Sequence, residues 1–159
     1  MANQYPTLYP AGFNGTYTDF NKAKMDRSGA LRLYKGSVSV PSGTVVGTKI
    51  GLVPVRKGAY VAVQASSVYS DALGASVTAS IGVTYNPTSA STEAPATYVS
   101  GSTVVAAGGA IPLNAVEAGF TYSITDDGWV SVTTAGATTG STGNLNFNLA
   151  IAYDFGALV

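Results

Sequence analysis

The stretch NLNFNLAIAYDF, residues 144–155, alternates without a break: Leu145, Phe147, Leu149, Ile151 and Tyr153 fall on one side, and Asn146, Asn148, Ala150, Ala152 and Asp154 on the other. Side chains that repeat with period two line opposite faces of an extended strand, whereas a helix would scatter the same apolar residues around its axis. The chain must build a sheet here, with one face in a core. The second face is the unusual one. A solvated strand ordinarily presents Lys, Glu or Arg, and this one presents amides and methyl groups with one carboxylate at its end. Such a face is expected to be covered, by the chain's own second sheet or by a like subunit.

The rest of the sequence repeats that pattern at short spacing. Strands are predicted near 31–40, 44–54, 58–66, 76–85, 97–105, 119–125, 129–134 and 144–155. In the fourth of these, Val77, Ala79, Ile81, Val83 and Tyr85 share a face. Asp127-Gly128, between FTYSI and WVSV, is expected to form a tight hairpin turn, since both residue types tolerate positive φ. The run NPTSASTEAPATYVSGS is rich in Ser, Thr and Pro and predicts a surface loop. Only NAVEAG offers a helical turn, with Asn114 as cap and Gly119 as terminator. About eight short strands without helices imply an all-β fold, a β-sandwich of jelly-roll-like form. The body is assigned to residues 29–159.

Residues 1–28 read differently. Pro6, Pro10, Gly12 and Gly15 break any alternation, and Tyr5, Leu8, Tyr9, Phe13, Tyr17 and Phe20 are irregularly spaced. Six scattered anchors offset only part of the cost of ordering such a segment. It is expected to be an extended N-terminal arm that pairs as an edge strand or lies along a neighbouring subunit, with Lys22, Lys24 and Arg27 reaching a partner.

Composition narrows the functions open to the chain. It has 159 residues, enough to bury one core, with no cysteine and no histidine, so disulfides, thiolate metal sites and the commonest general base are absent. Charged residues make up 10%, against about 25% in an average domain. No apolar run is long enough for a membrane span and the start lacks a secretion signal, so a product made in the cytoplasm, with no membrane partner, is expected. The net charge of zero conceals a segregation: the first 57 residues carry eight bases and two acids, a surplus of +6, and the remaining 102 carry six acids and no base, −6. Either folding mixes these charges again or they mark complementary surfaces that steer subunits together.

Candidate chemistry is weak throughout. The Gly-rich stretches GTVVGTKIG and GATTGSTGN lack the Gly-Lys-Ser/Thr that opens a helix in a phosphate-binding loop. Asp126 and Asp127 could act as an acid/base pair or hold calcium, but a turn between strands accounts for both and the spaced oxygen ligands of a calcium loop are missing. Trp129 and the ten tyrosines could stack on sugar rings; alternatively, Trp129 closes one end of the sandwich. The basic residues from Lys22 to Lys35 are too few to indicate a nucleic acid. No catalytic residues, metal, cofactor or small-molecule substrate are expected, and the protein is not expected to be an enzyme.

Within VSVPSGTVVGTKIGLVPVRKGAYVAV, the succession Pro41-Ser-Gly-Thr44, an alternating strand and then Lys57-Gly58-Ala-Tyr60-Val61, followed by LGASVTASIGVTY, resembles small all-β virion proteins of tailed bacteriophages, in particular capsid decoration or cement proteins. The resemblance covers about residues 36–85 and rests on strand and turn patterns. It implies a β-sandwich or jelly-roll subunit, often a homotrimer, on the outer surface of an expanded icosahedral capsid, where it clamps neighbouring major capsid proteins. A tail, fibre or carbohydrate-binding recognition module is the rival expectation.

Overall fold

The computed structural model describes Leu8, residues 31–113, Val116, Gly119 and residues 122–153. Among the described residues, nine strands form two antiparallel sheets: β1 (Arg32–Val40), β2 (Lys49–Val55), β3 (Ala59–Val61), β4 (Ser67–Ser70), β5 (Thr78–Tyr85), β6 (Ala94–Ser102), β7 (Gly109–Ile111), β8 (Gly128–Ala135) and β9 (Gly143–Tyr153). A 3-10 turn, Val63–Ala65, separates β3 from β4, and one helical turn, Val104–Ala107, precedes β7. One sheet runs β1-β9-β4-β7 with β3 also on β9; the other runs β2-β8-β5-β6.

The pairing follows one rule. β5 pairs with β6, β4 with β7, β2 with β8 and β1 with β9, so the partners nest around the β5–β6 connection as in one long antiparallel ribbon. The ribbon is rolled so that β8 meets β5 and β9 meets β4, which divides it into two facing sheets. With β3 and β4 counted as one interrupted strand, this is the jelly roll of the sequence expectation. The interruption has a local cause: where the 3-10 turn leaves the ladder, the Ser66 hydroxyl accepts the Ala150 N–H at 2.9 Å, and the Ala62 N–H donates to the Ala150 carbonyl at 2.8 Å. No backbone group of β9 need be left unpaired at that break.

The core lies between the sheets. Val38, Val40, Val68, Leu145, Leu149 and Ile151 face Ile50, Val55, Ile81, Val83, Val130 and Val132. The apolar faces expected for 76–85 and 144–155 are buried where they are described: Val77, Ala79, Ile81, Val83 and Tyr85 are core residues, as are Leu145, Phe147, Leu149 and Ile151, while the Tyr153 side chain lies outside what is described.

Several expectations need correction. The 44–54 strand begins only at Lys49, because residues 41–48 form turns. The 58–66 strand is cut short at Val61 by the 3-10 turn, and the short strands β4 and β7 were not anticipated. Of the expected 119–125 strand, residues 122–125 are not in a strand: Ile124 makes two backbone bonds, donating to Ala59 and accepting from Gly58, each at 2.8 Å. There is accordingly no hairpin at Asp127-Gly128. Gly128 opens β8 with ordinary φ, and its role is a close approach, since a Cβ there would lie 2.3 Å from the Thr84 carbonyl oxygen. The second half of the Ser/Thr/Pro-rich run is strand and not loop: β6, Ala94–Ser102, starts three residues ahead of the expected 97–105 strand, where pairing with β5 overrides Pro95, and ends before the helical turn Val104–Ala107, which takes the place of its last residues. Residues 114, 115, 117 and 118 of the expected helical turn lie outside the described residues.

Gly128→Ala is expected to destabilise the fold by about 3 kcal/mol, because β8 and β5 must part to admit the methyl group. Urea unfolding should show a lower midpoint at unchanged slope; an unchanged midpoint would mean that the strands yield freely.

Candidate interaction surface

The two sheets differ on their outer faces. On the four-stranded sheet that face is closed: Trp129, Thr84 and Ser131 are all wholly buried, and the two hydroxyls share a 2.7 Å hydrogen bond. The β5–β6 connection crosses it. An ion pair joins Lys49, on the β2 edge, to Glu93 just ahead of β6 at the opposite edge, and the start of β6 lies so close over Gly82 that a Cβ there would meet the Ala94 carbonyl at 2.0 Å.

The outer face of the five-stranded sheet is open. Register places Lys35, Asn148 and Ser67 in one row, Ser37, Asn146, Tyr69 and Ala110 in the next, and Ser39 beside Asn144. Leu33 pairs with Ala150 and Tyr60 with Ala152 at the other end. Asn144 and Asn146 are exposed and Asn148 is half-buried, whereas Ala150 and Ala152 are buried. The second face of β9 is thus covered at its alanine end and open at its asparagine end; the chain's own second sheet packs only on the other side. Leu33 is 53% exposed, Tyr69 52% and Tyr60 41%, and of the strand positions on this face Lys35 alone carries a charge. At the margin, the Asp71 carboxylate accepts the Asn144 backbone N–H at 2.8 Å and its side-chain amide at 3.2 Å, which fixes that asparagine. The Asn148 Oδ1 is buried without a hydrogen-bond partner.

This arrangement suits a protein surface. Amides and hydroxyls can donate or accept as a partner requires, and a nearly uncharged face avoids the cost of desolvating unpaired ions. Sequence reasoning singled out the asparagines of β9 but missed Tyr69, which the register sets beside Asn146, and Leu33 and Tyr60, which it sets beside Ala150 and Ala152 on the same face.

The other candidates resolve as follows. Of the arm residues, Tyr5, Tyr9, Phe13, Tyr17, Phe20, Lys22, Lys24 and Arg27 lie outside the described residues. Leu8 is described: it forms a parallel bridge with Ile50, donating to the Lys49 carbonyl at 3.2 Å and accepting from the Gly51 N–H, and packs against the core. It therefore adds to the outer edge of β2. Asp126 accepts the N–H of Asp127 at 2.8 Å and Asp127 that of Lys57 at 3.0 Å, the geometry of a fixed turn. Among the described residues no group of three acids gathers as a metal site. Trp129, being wholly buried, offers no stacking platform. The charge segregation is partly mixed by folding, as the Lys49–Glu93 ion pair shows.

A tyrosine cluster lies at the margin of the core, with Tyr85 and Tyr98 buried and Tyr122 half-buried against them. The Tyr85 hydroxyl is 2.7 Å from that of Tyr122 and accepts from the Thr125 hydroxyl at 2.9 Å, while Tyr98 meets the Tyr122 ring edge-on at 6.4 Å. Burial, followed by the neighbouring phenol Tyr122, pushes the Tyr98 hydroxyl well above its ordinary value; burial and the Tyr85 hydrogen bond do the same for Tyr122. These phenols hold their protons and are packing groups.

No protein-family model and no curated protein matches the chain. Two solved assemblies contain chains of this fold. A chain of the cyanophage Pam1 capsid asymmetric unit superposes with a TM-score of 0.57 at 18% identity, covering 82% of this chain and 89% of that one. A chain of the capsid of Ralstonia phage GP4 gives 0.60 at 17% identity, covering 82% and 88%. Since each match spans most of both chains, the likeness is to a whole small chain, slightly shorter than this one.

The cluster generates a contrast. Tyr98→Phe removes a buried hydroxyl that has no partner and should raise stability by about 1 kcal/mol, while Tyr85→Phe breaks the shared network and should lower it by about 1–2 kcal/mol. Because Tyr98 and Tyr122 keep their protons in the fold at a pH where an unfolded chain releases them, stability is complete below about pH 10 and falls as pH rises beyond it. Calorimetry of the three proteins across that range checks both statements, and equal losses in the two variants would refute the contrast.

Proposed function

We propose that the chain is a structural virion protein that decorates and stabilises a tailed-phage capsid, lying on the outer surface of the shell and binding major capsid proteins and copies of itself as a homotrimer. The observation that carries this reading is the open, nearly uncharged face of the five-stranded sheet, on a jelly roll whose other outer face is already closed. Its fold is shared with chains of two phage capsid assemblies, and the sequence resemblance points the same way. Mechanically, many modest contacts repeated by the symmetry of a shell add up to strong attachment without any single strong site.

The arm has a part in the same proposal. Leu8 anchors it to β2, and Tyr5, Tyr9, Phe13, Tyr17, Phe20, Lys22, Lys24 and Arg27 are proposed to continue onto a neighbouring subunit. Leu8→Ala should cost about 1–2 kcal/mol, less than a fully buried leucine, because the residue is half-buried.

The direct test mixes purified protein with particles of its source that lack it and images them by electron microscopy. Regular density on the outer surface is expected. Tyr69→Glu combined with Asn146→Lys, both at exposed positions, should abolish that density and leave thermal unfolding unchanged; retained density would move the contact to another surface. Removal of residues 1–28 should leave a folded body that no longer decorates shells, and undiminished decoration would refute the arm's role. Binding of the isolated protein to glycans, with none to shells, would instead establish a recognition module.

A further inference from the structure

Leu8 meets β2 at a single rung. It donates to the Lys49 carbonyl at 3.2 Å and accepts from the Gly51 N–H, on the edge of β2 away from β8, and its half-buried side chain packs against the core. The open edge of a strand ordinarily invites a longer pairing than this.

Both partners set the limit. On the arm, a parallel ladder would take its next rungs from the residues two places either side of Leu8, whose N–H groups face the same way; these are Pro6 and Pro10, which have none. On the other side, β2 begins only at Lys49. Just ahead of it the Gly47 N–H donates to the Thr134 carbonyl at 2.8 Å and the Thr48 carbonyl accepts the Thr134 N–H at 3.1 Å, so that backbone is turned toward β8. Beyond Gly51 a bulge breaks the register before Val53. The strand therefore offers a straight outer edge over Lys49–Gly51 alone, and the segment Pro6-Thr7-Leu8-Tyr9-Pro10 offers one residue able to fill it. Lys49 is tied by its ion pair with Glu93 and Ile50 is wholly buried, so the seat is fixed by the body of the protein.

Two backbone bonds and one half-buried leucine make a contact that opens readily and closes again. Residues 9–31 separate Leu8 from β1 and allow a reach of up to about 80 Å. A seat filled by another copy keeps every contact of a seat filled by its own chain, so exchange costs nothing in the contacts themselves. We propose that the outer edge of β2 at Lys49–Gly51 is a binding slot for a leucine between two prolines, and that it takes the Pro6–Pro10 segment of a second copy of this chain. In dilute solution each chain fills its own slot, because the tether raises the effective concentration of its own segment. Where copies stand side by side within reach, a neighbour's segment competes on comparable terms and links the subunits. The proposal extends the arm's part in the proposed function, and its test needs no shell.

The test uses the full chain carrying Leu8→Asp, which disables its own segment and leaves the slot in place, with the unfolding midpoint as control; Leu8→Ala replaces it if that variant unfolds. A synthetic peptide of residues 3–12 is expected to shift the Gly51 amide resonance of this variant and to slow its hydrogen exchange by about tenfold, while the same peptide with Leu8→Asp does neither. Because the chain has no cysteine, Thr7→Cys in an otherwise unchanged copy takes a single spin label. That copy, mixed with the isotope-labelled Leu8→Asp chain, should broaden the Gly51 resonance. A peptide that leaves Gly51 unaffected overturns the slot. Peptide binding without broadening by the spin-labelled copy overturns the exchange and confines the segment to its own chain. Both readouts come from free protein, so a failure to decorate particles would strike the virion role and leave this result standing.

Discussion

Strand β9 is hydrogen-bonded along both edges, to β1 through nine residue pairs from Arg32–Ile151 to Val40–Gly143 on one side, and to β4 and β3 on the other. A strand in that position has no freedom to slip, because a shift of one residue would turn Leu145, Phe147, Leu149 and Ile151 outward and bring asparagines into the core. The rest of the five-stranded sheet takes its register from it. The rows of the outer face are consequences of the inner one: Asn146 comes to lie between Ser37 and Tyr69 because Leu145 and Phe147 are fixed on either side of it.

The two sheets then have different fates for a reason that lies in their connections. The β5–β6 segment returns over its own sheet, and Lys49–Glu93 ties it down at the opposite edge, so the hydroxyls of Thr84 and Ser131 satisfy each other away from solvent. Among the described residues nothing comparable crosses the asparagine end of β9. A face of amides and small side chains left open in that way differs from an ordinary solvated surface chiefly in what it lacks, and the lack of charge is what makes it inexpensive to dehydrate.

Long alternating runs were legible in the sequence because period two is a property of each strand alone, as 76–85 and 144–155 show. Short strands were not. β4 and β7 have four and three residues, too few for a period, and are strands only because β9 and β4 offer them ladders. The same dependence on context misled the reading of FTYSI and TDDG: an alternating pentapeptide and an Asp-Gly pair look like a hairpin, yet β8 finds its partners in β2 and β5, distant in sequence. At the surface, the unusual second face of β9 could be seen from residue types, but its neighbours Leu33, Tyr60 and Tyr69 come from three other strands and could be placed only by the register. Val45 and Val46 fall within the expected 44–54 strand, yet they lie exposed in a turn whose backbone is bonded to Thr134 and Thr139, some ninety residues away.

The nested ribbon has a further consequence for the order in which the chain can pair as it is made. Its innermost pair, β5 with β6, can form as soon as both have left the ribosome, whereas β1 must wait, unpartnered, until β9 has been synthesised. The broad uncharged flank therefore comes into being last, when the rest of the body is already assembled. A chain still emerging from the ribosome therefore has no complete plane of this kind, and the asparagine row gains its flanking strands only once β9 is threaded between β1 and β4.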